Sequence, residues 1–205
     1  IPIVGENVDG HRFINDTVKN NCSGFFVSNI DSIDIQKIKE VNKDIIIIEV
    51  EDTKKALVDI GIFNRNKHKD IEVVAITGSV GKTSTREIVS SVLSQQKNIL
   101  VTEKNMNSYI GMPLMTLKLE EQEMAVLEAG IDFVGEMDIL NKLLVPDVAV
   151  VTNIGTSHIG KFGSQDIIFQ EKTKIADGLK GKKILLLNGD DEYLRRYENP
   201  SVIIL

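Results

Sequence analysis

The first part of the chain alternates short apolar runs with segments of helical periodicity. Phe25–Val27 and Ile45–Ile48 are apolar runs of strand length, and they predict two buried strands. Between them, apolar positions in residues 35–41 recur at helical spacing after Asp34, whose side chain is a candidate helix cap. A second helix is predicted over Thr53–Phe63, with its apolar positions facing inward.

A polar stretch separates this block from the rest of the chain. Asn64–Asp70 contains only polar and charged residues, a composition that predicts a linker. We therefore expect two domains, a small α/β domain over residues 1–70 and a second domain over residues 71–205.

From residue 71 onward, predicted strands and helices alternate regularly. Because helices of this length join neighbouring parallel strands, the predicted fold class is α/β, with a mostly parallel, doubly wound sheet. Ligands of such sheets bind outside the carboxyl ends of the strands. The predicted strands are Val73–Thr77, Ile99–Val101, Met124–Leu127, Val148–Thr152 and Lys183–Leu187, and the predicted helices are Lys82–Gln95, Gly111–Leu119, Gly135–Leu144 and Ser164–Gly178.

The segment Thr77–Thr83 combines the groups that a triphosphate requires. Its glycines let backbone N–H groups approach phosphate oxygens, Lys82 adds a cation, and Thr83 has a hydroxyl able to reach Mg²⁺. A standard phosphate loop would have its first glycine where Ile76 stands, so this loop is a shortened variant. A lysine at a helix N-terminus opposes the helix dipole unless an anion binds there. The predicted nucleotide-binding residues are Gly78, Ser79, Val80, Gly81, Lys82, Thr83 and Ser84.

Two further strand ends carry polar groups that suit the same chemistry. The strand Met124–Leu127 runs into Glu128, and the strand Val148–Thr152 is followed shortly by His158. Because the carboxyl ends of parallel strands meet at one edge of a sheet, we expect phosphate loop, carboxylate and imidazole to converge there. Taken singly, each has another interpretation: Glu128 could equally cap a helix, and an isolated histidine is more often a loop residue than a ligand.

Composition narrows the possible functions. The net charge of −6 argues against a broad nucleic-acid-binding face, and no apolar run approaches the roughly 20 residues needed to span a bilayer. Residues 1–6 lack the features of a signal peptide. Cys22 is the single cysteine, which excludes an internal disulfide, and we expect its small side chain to be buried. These features predict a cytoplasmic protein that binds neither nucleic acid nor membranes.

Both ends of the chain are expected to be cut from a longer protein. The first residue is not methionine, and the chain closes on the apolar run Ser201–Leu205 without a turn or cap. An unpaired apolar strand at a natural terminus would promote aggregation. We therefore expect this sequence to be a fragment.

The ordered set of motifs resembles the Mur ligase family. Thr77–Thr83 is similar to the ATP loop of that family, which usually has asparagine where Val80 stands. The asparagine-rich segment Asn105–Pro113 resembles the MurF branch, which joins D-alanyl-D-alanine to UDP-N-acetylmuramoyl-tripeptide. Gly5–Ile14 resembles a motif that the MurE and MurF branches share. Three further segments match the family in the same order along the chain: Glu128–Gly130, Thr152–His158 and Glu171–Ile175.

The resemblance implies a role for each matching residue. Lys82 and the loop amides would hold the β- and γ-phosphates of ATP, and Thr83, Glu128 and His158 would bind Mg²⁺. Lys172 matches the lysine that carries a carbamate in most members, and the implied catalytic residues are Lys82, His158 and Lys172. The implied substrate-binding residues are Asn105, Asn107 and Ser108, the last of which replaces a common second asparagine.

The reaction implied by the resemblance is ATP-dependent amide formation in peptidoglycan precursor synthesis. The γ-phosphoryl group of ATP would pass to the terminal carboxylate of the tripeptide, and the amine of D-alanyl-D-alanine would then attack the acyl phosphate. Metal ions and a lysine would offset the repulsion between the two anionic reactants. Residues 1–70 would bind the UDP-sugar and residues 71–205 the ATP. A third, carboxyl-terminal domain is expected to be missing, so the chain alone should be an inactive monomer.

Two alternatives stay open on the sequence. One is a MurE-type or other Mur-like ligase that acts on a different substrate. The other is a nucleotide-binding regulatory module without ligase activity, although the joint presence of the candidate phosphate, metal and carbamate residues argues against it. Asn188–Asp191 resembles a motif that is usually Asn-Ala-Asp-Asp, and the sequence assigns it no role.

Overall fold

The chain divides into two compact units. The computed structural model describes residues 1–5 and 7–205, so the predicted motif Gly5–Ile14 contains one residue, Glu6, that lies outside the described residues. The first unit comprises Ile1–Asp59 and the second Ile60–Leu205. Each unit has its own sheet.

The first unit contains a two-stranded parallel sheet. Strand β1 (Gly24–Val27) pairs with strand β2 (Ile46–Glu49), and helix α2 (Ile35–Val41) connects them. The side chain of Asp34 accepts a hydrogen bond from the backbone N–H of Lys37 at 3.0 Å and so caps this helix. Both predicted strands and the capped helix are present, each within one residue of its predicted bounds. The expectation that both strands are buried is wrong for β2, because Ile46 is 60% exposed and Ile48 is 43% exposed.

The core of the first unit also depends on a helix that the pattern did not predict. Helix α1 (Ile14–Lys19) has six residues, too short for helical periodicity to stand out in the sequence. Cys22 is half-buried against the core, rather than fully buried as expected. The buried side chains of this core are Ile14, Val18, Phe25, Val27, Ile38 and Ile45.

The prediction that Asn64–Asp70 form a linker between the two domains is wrong. Helix α3 runs over Thr53–Lys67, well beyond its predicted end at Phe63, so most of the polar stretch is helical. Within that stretch, Arg65 is only 1% exposed. The boundary between the two units falls at Asp59, inside the helix, rather than at residue 70. Composition alone does not distinguish a solvated linker from polar side chains with specific partners.

Arg65 joins the end of α3 to the body of the second unit. Its guanidinium donates hydrogen bonds of 2.6 to 3.3 Å to four backbone carbonyls. Burial lowers the pKa of Arg65 from its ordinary value, and the nearby charge of Asp147 partly offsets this effect. The acceptors are the carbonyl oxygens of Leu144, His68, Ile71 and Val145.

The second unit is built on a parallel sheet of six strands. In chain order they are β3 (Glu72–Thr77), β4 (Ile99–Val101), β5 (Met124–Glu128), β6 (Val148–Val151), β7 (Ile184–Leu187) and β8 (Ile203–Ile204). Their order across the sheet is β4-β5-β3-β6-β7-β8, and every neighbouring pair is parallel. The predicted α/β class with a parallel sheet is confirmed, and β5, β3 and β6 are adjacent.

The helices of this unit follow the strands as the periodicity predicts. The bounds of two helices differ most from the prediction: α5 ends at Thr116 rather than Leu119, and the chain after α8 continues as a 3₁₀ turn over Lys174–Gly178. Within the described part of the chain, no helix has the length and apolar character needed to cross a membrane. The helices are α4 (Lys82–Leu93), α5 (Gly111–Thr116), α6 (Glu136–Leu144), the short unpredicted α7 (Ile159–Phe162) and α8 (Gln165–Thr173).

The apolar run at the end of the chain is paired. Ile203 lies opposite Ile184 and Ile204 opposite Leu185, so β8 extends the sheet beyond β7. The expectation that Ser201–Leu205 is an unpaired strand is therefore wrong for these positions.

We predict that Arg65→Met lowers the free energy of unfolding by about 3–5 kcal/mol, because it removes a buried cation and leaves several carbonyls without a donor. Denaturant unfolding followed by circular dichroism measures the change. The control is Lys67→Met, which removes an exposed cation from the same helix and should change stability by less than about 0.5 kcal/mol. Equal stabilities for the two variants would contradict the role of Arg65.

Candidate functional site

The turn after β3 has a backbone conformation that favours glycine. Gly78 has a φ of +146° and Gly81 a φ of +82°. A Cβ atom on Gly78 would also collide with the hydroxyl of Thr152. Gly81 is the N-cap residue of α4, which begins at Lys82. The two glycines therefore let the chain pass from strand to helix in a tight loop pressed against the end of β6.

Residues that follow β6 hold this loop. The N–H of Ser79 donates to the backbone oxygen and to Oδ1 of Asn153, both at 3.1 Å, and the N–H of Val80 donates to the same Oδ1 at 3.0 Å. Thr152 Oγ1 donates to the Val80 carbonyl at 2.6 Å, and the N–H of Gly155 donates to Ser79 Oγ at 2.8 Å. The Val80 side chain is 62% exposed, so the shape of the loop does not require an asparagine side chain there.

Positive charge is concentrated at the start of α4. Lys82 Nζ lies over the loop, where it donates to the carbonyls of Gly78 at 2.9 Å and Ser79 at 3.4 Å. The N-cap residue of this helix, Gly81, has no side chain that could cap the N–H groups at its start. Because an ammonium group and unpaired helix amides both attract anions, this arrangement suits a phosphate group.

A buried carboxylate lies at the end of β5. Glu128 is 3% exposed, and its Oε2 accepts hydrogen bonds from Thr83 Oγ1 at 3.0 Å and from Arg86 Nη1 at 3.4 Å. Its Oε1 accepts from Asn107 Nδ2 at 2.8 Å. The structure thus joins two predicted metal ligands, Thr83 and Glu128, to the predicted substrate residue Asn107. Arg86 is an unpredicted member of this cluster.

The oxygens of Thr83 and Glu128 fit a magnesium ion. Adjacent ligands of an octahedral Mg²⁺, each 2.0–2.1 Å from the ion, lie about 2.9 Å apart, close to the 3.0 Å between these two oxygens. The third predicted ligand, His158, has its Nδ1 3.2 Å from Asp132 Oδ1. Among residues 1–5 and 7–205, no three His, Cys, Asp or Glu side chains group closely enough to hold a metal by themselves. A metal here would therefore need oxygens from a bound ligand or water.

Lys172 is a buried amine on α8. It is 3% exposed, and burial lowers its pKa to about 8. The nearby charge of Lys82 lowers this pKa as well, whereas the carboxylates of Asp132 and Glu136 raise it. With a pKa near 8, about a tenth of the Lys172 side chains are neutral at pH 7.

These groups meet at a cavity of about 440 Å³ at the carboxyl ends of the strands. All three predicted substrate residues and all three predicted catalytic residues line it. Glu128 lies behind this lining and reaches it through its hydrogen bond to Asn107. The lining residues are Gly78, Ser79, Lys82, Asn105, Asn107, Ser108, Gly130, Ile131, Asp132, Ser157, His158 and Lys172, whereas Val80, Gly81, Thr83 and Ser84 are not among them.

Comparison with known proteins assigns the chain to a family. Residues 76–202 match the model of the Mur ligase middle domain. The chain belongs to the Mur ligase family. It is 34% identical over 196 residues to the UDP-N-acetylmuramoyl-tripeptide–D-alanyl-D-alanine ligase of Bacillus subtilis, a match that covers 95% of this chain and 41% of the relative. The ligase of the same name from Escherichia coli is 32% identical over 192 residues, covering 93% and 40%.

Solved structures of Mur ligases share the fold of this chain. MurF from Acinetobacter baumannii superimposes with a TM-score of 0.88 at 33% identity, covering 100% of this chain and 44% of that one. MurF from Thermotoga maritima in complex with ADP gives a TM-score of 0.85 at 30% identity, covering 100% and 45%. This Mur ligase chain therefore spans less than half the length of the relatives that it matches.

Sequence reasoning missed Glu136, a buried residue that organises the cavity wall of this Mur ligase chain. Glu136 is 1% exposed, and its carboxylate accepts hydrogen bonds from the N–H groups of Tyr109 at 2.8 Å and Asp132 at 2.6 Å. It thereby connects the asparagine-rich loop to the loop that holds Asp132. In the sequence, a glutamate in the first turn of a helix has an ordinary explanation in the helix dipole, so no signal marked it.

Proposed function

We propose that this chain forms the UDP-sugar- and ATP-binding part of a MurF-type ligase, which joins D-alanyl-D-alanine to UDP-N-acetylmuramoyl-tripeptide while ATP becomes ADP and phosphate. The observation that carries the proposal is the single cavity where phosphate loop, asparagine-rich loop and Lys172 meet, in a chain of the Mur ligase family. The names of the relatives and the ADP complex of a similar MurF structure support it.

The first step in this proposal is phosphoryl transfer. A terminal carboxylate oxygen of the tripeptide attacks the γ-phosphorus of ATP, and ADP leaves. Lys82 and the amides at the start of α4 hold the β- and γ-phosphates, where their positive charge offsets the repulsion between two anions. Asn105, Asn107 and Ser108, on the facing loop, bind the nucleotide-sugar substrate. The amine of D-alanyl-D-alanine then attacks the acyl carbon, loses a proton and displaces phosphate.

A magnesium ion fits the same scheme. Thr83 and Glu128 would hold it, together with phosphate oxygens and water, and their separation supports this assignment. When bound, Mg²⁺ neutralises charge on the transferring phosphoryl group. We also assign His158 to the metal set, because its Nδ1 lies 3.2 Å from Asp132 Oδ1 and a carboxylate beside one ring nitrogen is a common feature of metal-binding histidines.

We further propose that Lys172 carries a carbamate. A neutral amine is required to react with CO₂, and burial of Lys172 supplies one by lowering its pKa to about 8. After the ammonium group loses one proton, the amine nitrogen would bond to the carbon of CO₂ and release a second proton to solvent. A buried cation would thereby become an anion that supports Mg²⁺. Lys82 lies close enough to influence Lys172 electrostatically, and it would then face an opposite charge instead of a like one.

The remaining expectations follow from this proposal. Residues Ile1–Asp59 would bind the UDP-sugar and Ile60–Leu205 the ATP, in a cytoplasmic monomer that meets its nucleotide substrates there. The relatives are more than twice as long as this chain, and domain closure completes many such sites. We therefore infer that the 205-residue chain binds nucleotide but does not form the amide bond.

The test of the proposed function is a coupled assay of ADP release. A protein in which this chain is extended to the length of its relatives should release ADP only when UDP-N-acetylmuramoyl-tripeptide and D-alanyl-D-alanine are both present. The 205-residue chain should release no ADP.

Two lysine variants of the extended protein provide a matched comparison. Lys82→Met should abolish turnover, whereas Lys142→Met, which changes an exposed lysine on α6, should not. ADP release with a different amine or nucleotide substrate would indicate another Mur branch, and nucleotide binding without any turnover would indicate a regulatory module.

The carbamate proposal is tested by stability in the presence and absence of bicarbonate. In CO₂-free buffer at pH 7, Lys172→Met should raise the free energy of unfolding by on the order of 2–3 kcal/mol, because it removes a buried charge. The pKa of Lys172 is about 8 in the folded chain and 10.5 in the unfolded chain. The loss of stability caused by burying its charge is therefore complete below pH 8 and disappears as the pH rises towards 10.5. Bicarbonate should stabilise the original chain and the Lys142→Met control, but not Lys172→Met. A chain that does not respond to bicarbonate would contradict the carbamate.

A further inference from the structure

The two amides that open the phosphate loop already have an acceptor within the protein. The N–H groups of Ser79 and Val80 converge on one oxygen, Oδ1 of Asn153, at 3.1 and 3.0 Å. Successive N–H groups that share one acceptor form a nest, the arrangement in which backbone amides usually bind a phosphate oxygen. Here an uncharged side-chain oxygen takes that place. At the start of α4, by contrast, the N-cap residue Gly81 supplies no side-chain acceptor.

The position of Asn153 is set by the residue that follows it. Ile154 is 4% exposed, and its peptide groups are held from two sides. Its N–H donates to Asp191 Oδ2 at 2.8 Å, and its carbonyl accepts from Gln165 Nε2 at 2.7 Å. The backbone around Asn153 is therefore clamped by side chains from two other segments, which limits the directions in which Asn153 can point.

Asp191 is itself fixed by backbone hydrogen bonds of its own segment. Its other oxygen, Oδ1, accepts hydrogen bonds from the N–H groups of Tyr193 at 2.9 Å and Leu194 at 3.0 Å. The carboxylate thus connects the turn after β7 to the segment after β6. This contact gives a structural role to Asp191, the last residue of the Asn188–Asp191 motif, to which the sequence assigned no role.

We propose that Asn153 is a positioning residue that holds the phosphate loop in its binding shape before nucleotide arrives, and that Asp191 holds Asn153 in place. The phosphates are then bound by Lys82 and the amides at the start of α4, rather than by the amides of Ser79 and Val80. This inference rests on the proposed nucleotide-binding function. A loop that is already ordered loses less conformational entropy on binding, which raises its affinity for the ligand.

The proposal also accounts for the uncharged character of Asn153. An aspartate would have the same shape and would accept both N–H groups, but it would place a negative charge beside the bound phosphates. Asn153→Asp therefore separates the shape of the loop from its affinity for anions. Asn153→Ala removes the side-chain acceptor, which leaves Val80 without it and Ser79 with only the backbone oxygen of Asn153, and so loosens the loop itself.

The test combines amide hydrogen exchange without ligand and calorimetric titration with ADP and AMP. In Asn153→Ala, the amide of Val80 should exchange at least about tenfold faster, because it loses its acceptor, whereas the amide of Ser79 keeps the backbone oxygen of Asn153 and should change less. The ratio of ADP to AMP affinity should fall by at least about tenfold. Asn153→Asp should keep the slow exchange and still lose the preference for ADP. Asp191→Ala should speed exchange at the same two amides. The control is Asn98→Ala, an exposed asparagine before β4, which should change neither quantity.

The two readouts separate failure of this inference from failure of the proposed function. Unchanged exchange at Val80 in Asn153→Ala would overturn the positioning role. Faster exchange with an unchanged ratio of ADP to AMP affinity would overturn its importance for phosphate binding. If the original chain does not bind ADP, the nucleotide assignment fails and the link to binding fails with it, but the exchange rates still decide whether Asn153 holds the loop. Exchange in the buried strand β5 should stay slow in every variant, which distinguishes local loosening of the loop from loss of the fold.

Discussion

Parallel pairing of β5, β3 and β6 is the constraint on which the site depends. The register places Ile76 opposite Glu128 and Thr77 opposite Val151, so three strands end at nearly the same level. Each strand continues into a loop that contains residues of the candidate site. These loops lie close together because their strands are adjacent. A shift by one residue would turn every side chain of a strand to the other face of the sheet. The buried apolar residues of these strands therefore determine where the phosphate loop and Glu128 lie.

The cavity concentrates charge at the cost of stability. Lys172 is buried with a like charge, Lys82, nearby, and burial lowers its pKa. Glu128 is buried too, although Thr83, Arg86 and Asn107 satisfy its oxygens. Sites of this kind retain groups that a purely stable fold would replace, because binding and catalysis require them. Stability is supplied elsewhere, as in the contacts of Arg65 with four backbone carbonyls.

Local sequence patterns were enough to predict most of the sheet and the phosphate loop. The central strands are buried on both faces and read as continuous apolar runs, and Thr77–Thr83 has a distinctive order of residues. The errors concern residues whose partners are distant in the chain. Arg65 looks like part of a solvated linker until its acceptors, up to 80 residues away, are known. Asn153 and Glu136 act through backbone N–H groups of other segments, and no spacing rule in the sequence reports such contacts.

The central claim is that Mg²⁺ and nucleotide bind where the phosphate loop, Glu128 and Lys172 converge. It is tested most directly by a titration of the ¹⁵N-labelled chain with Mg·ADP, followed by backbone amide resonances in NMR. The account predicts saturable shifts at Gly81–Ser84, with smaller shifts at Asn107 and Glu128, and little change in β8. Saturable binding with its largest shifts away from the start of α4, or no binding at millimolar nucleotide, would contradict it.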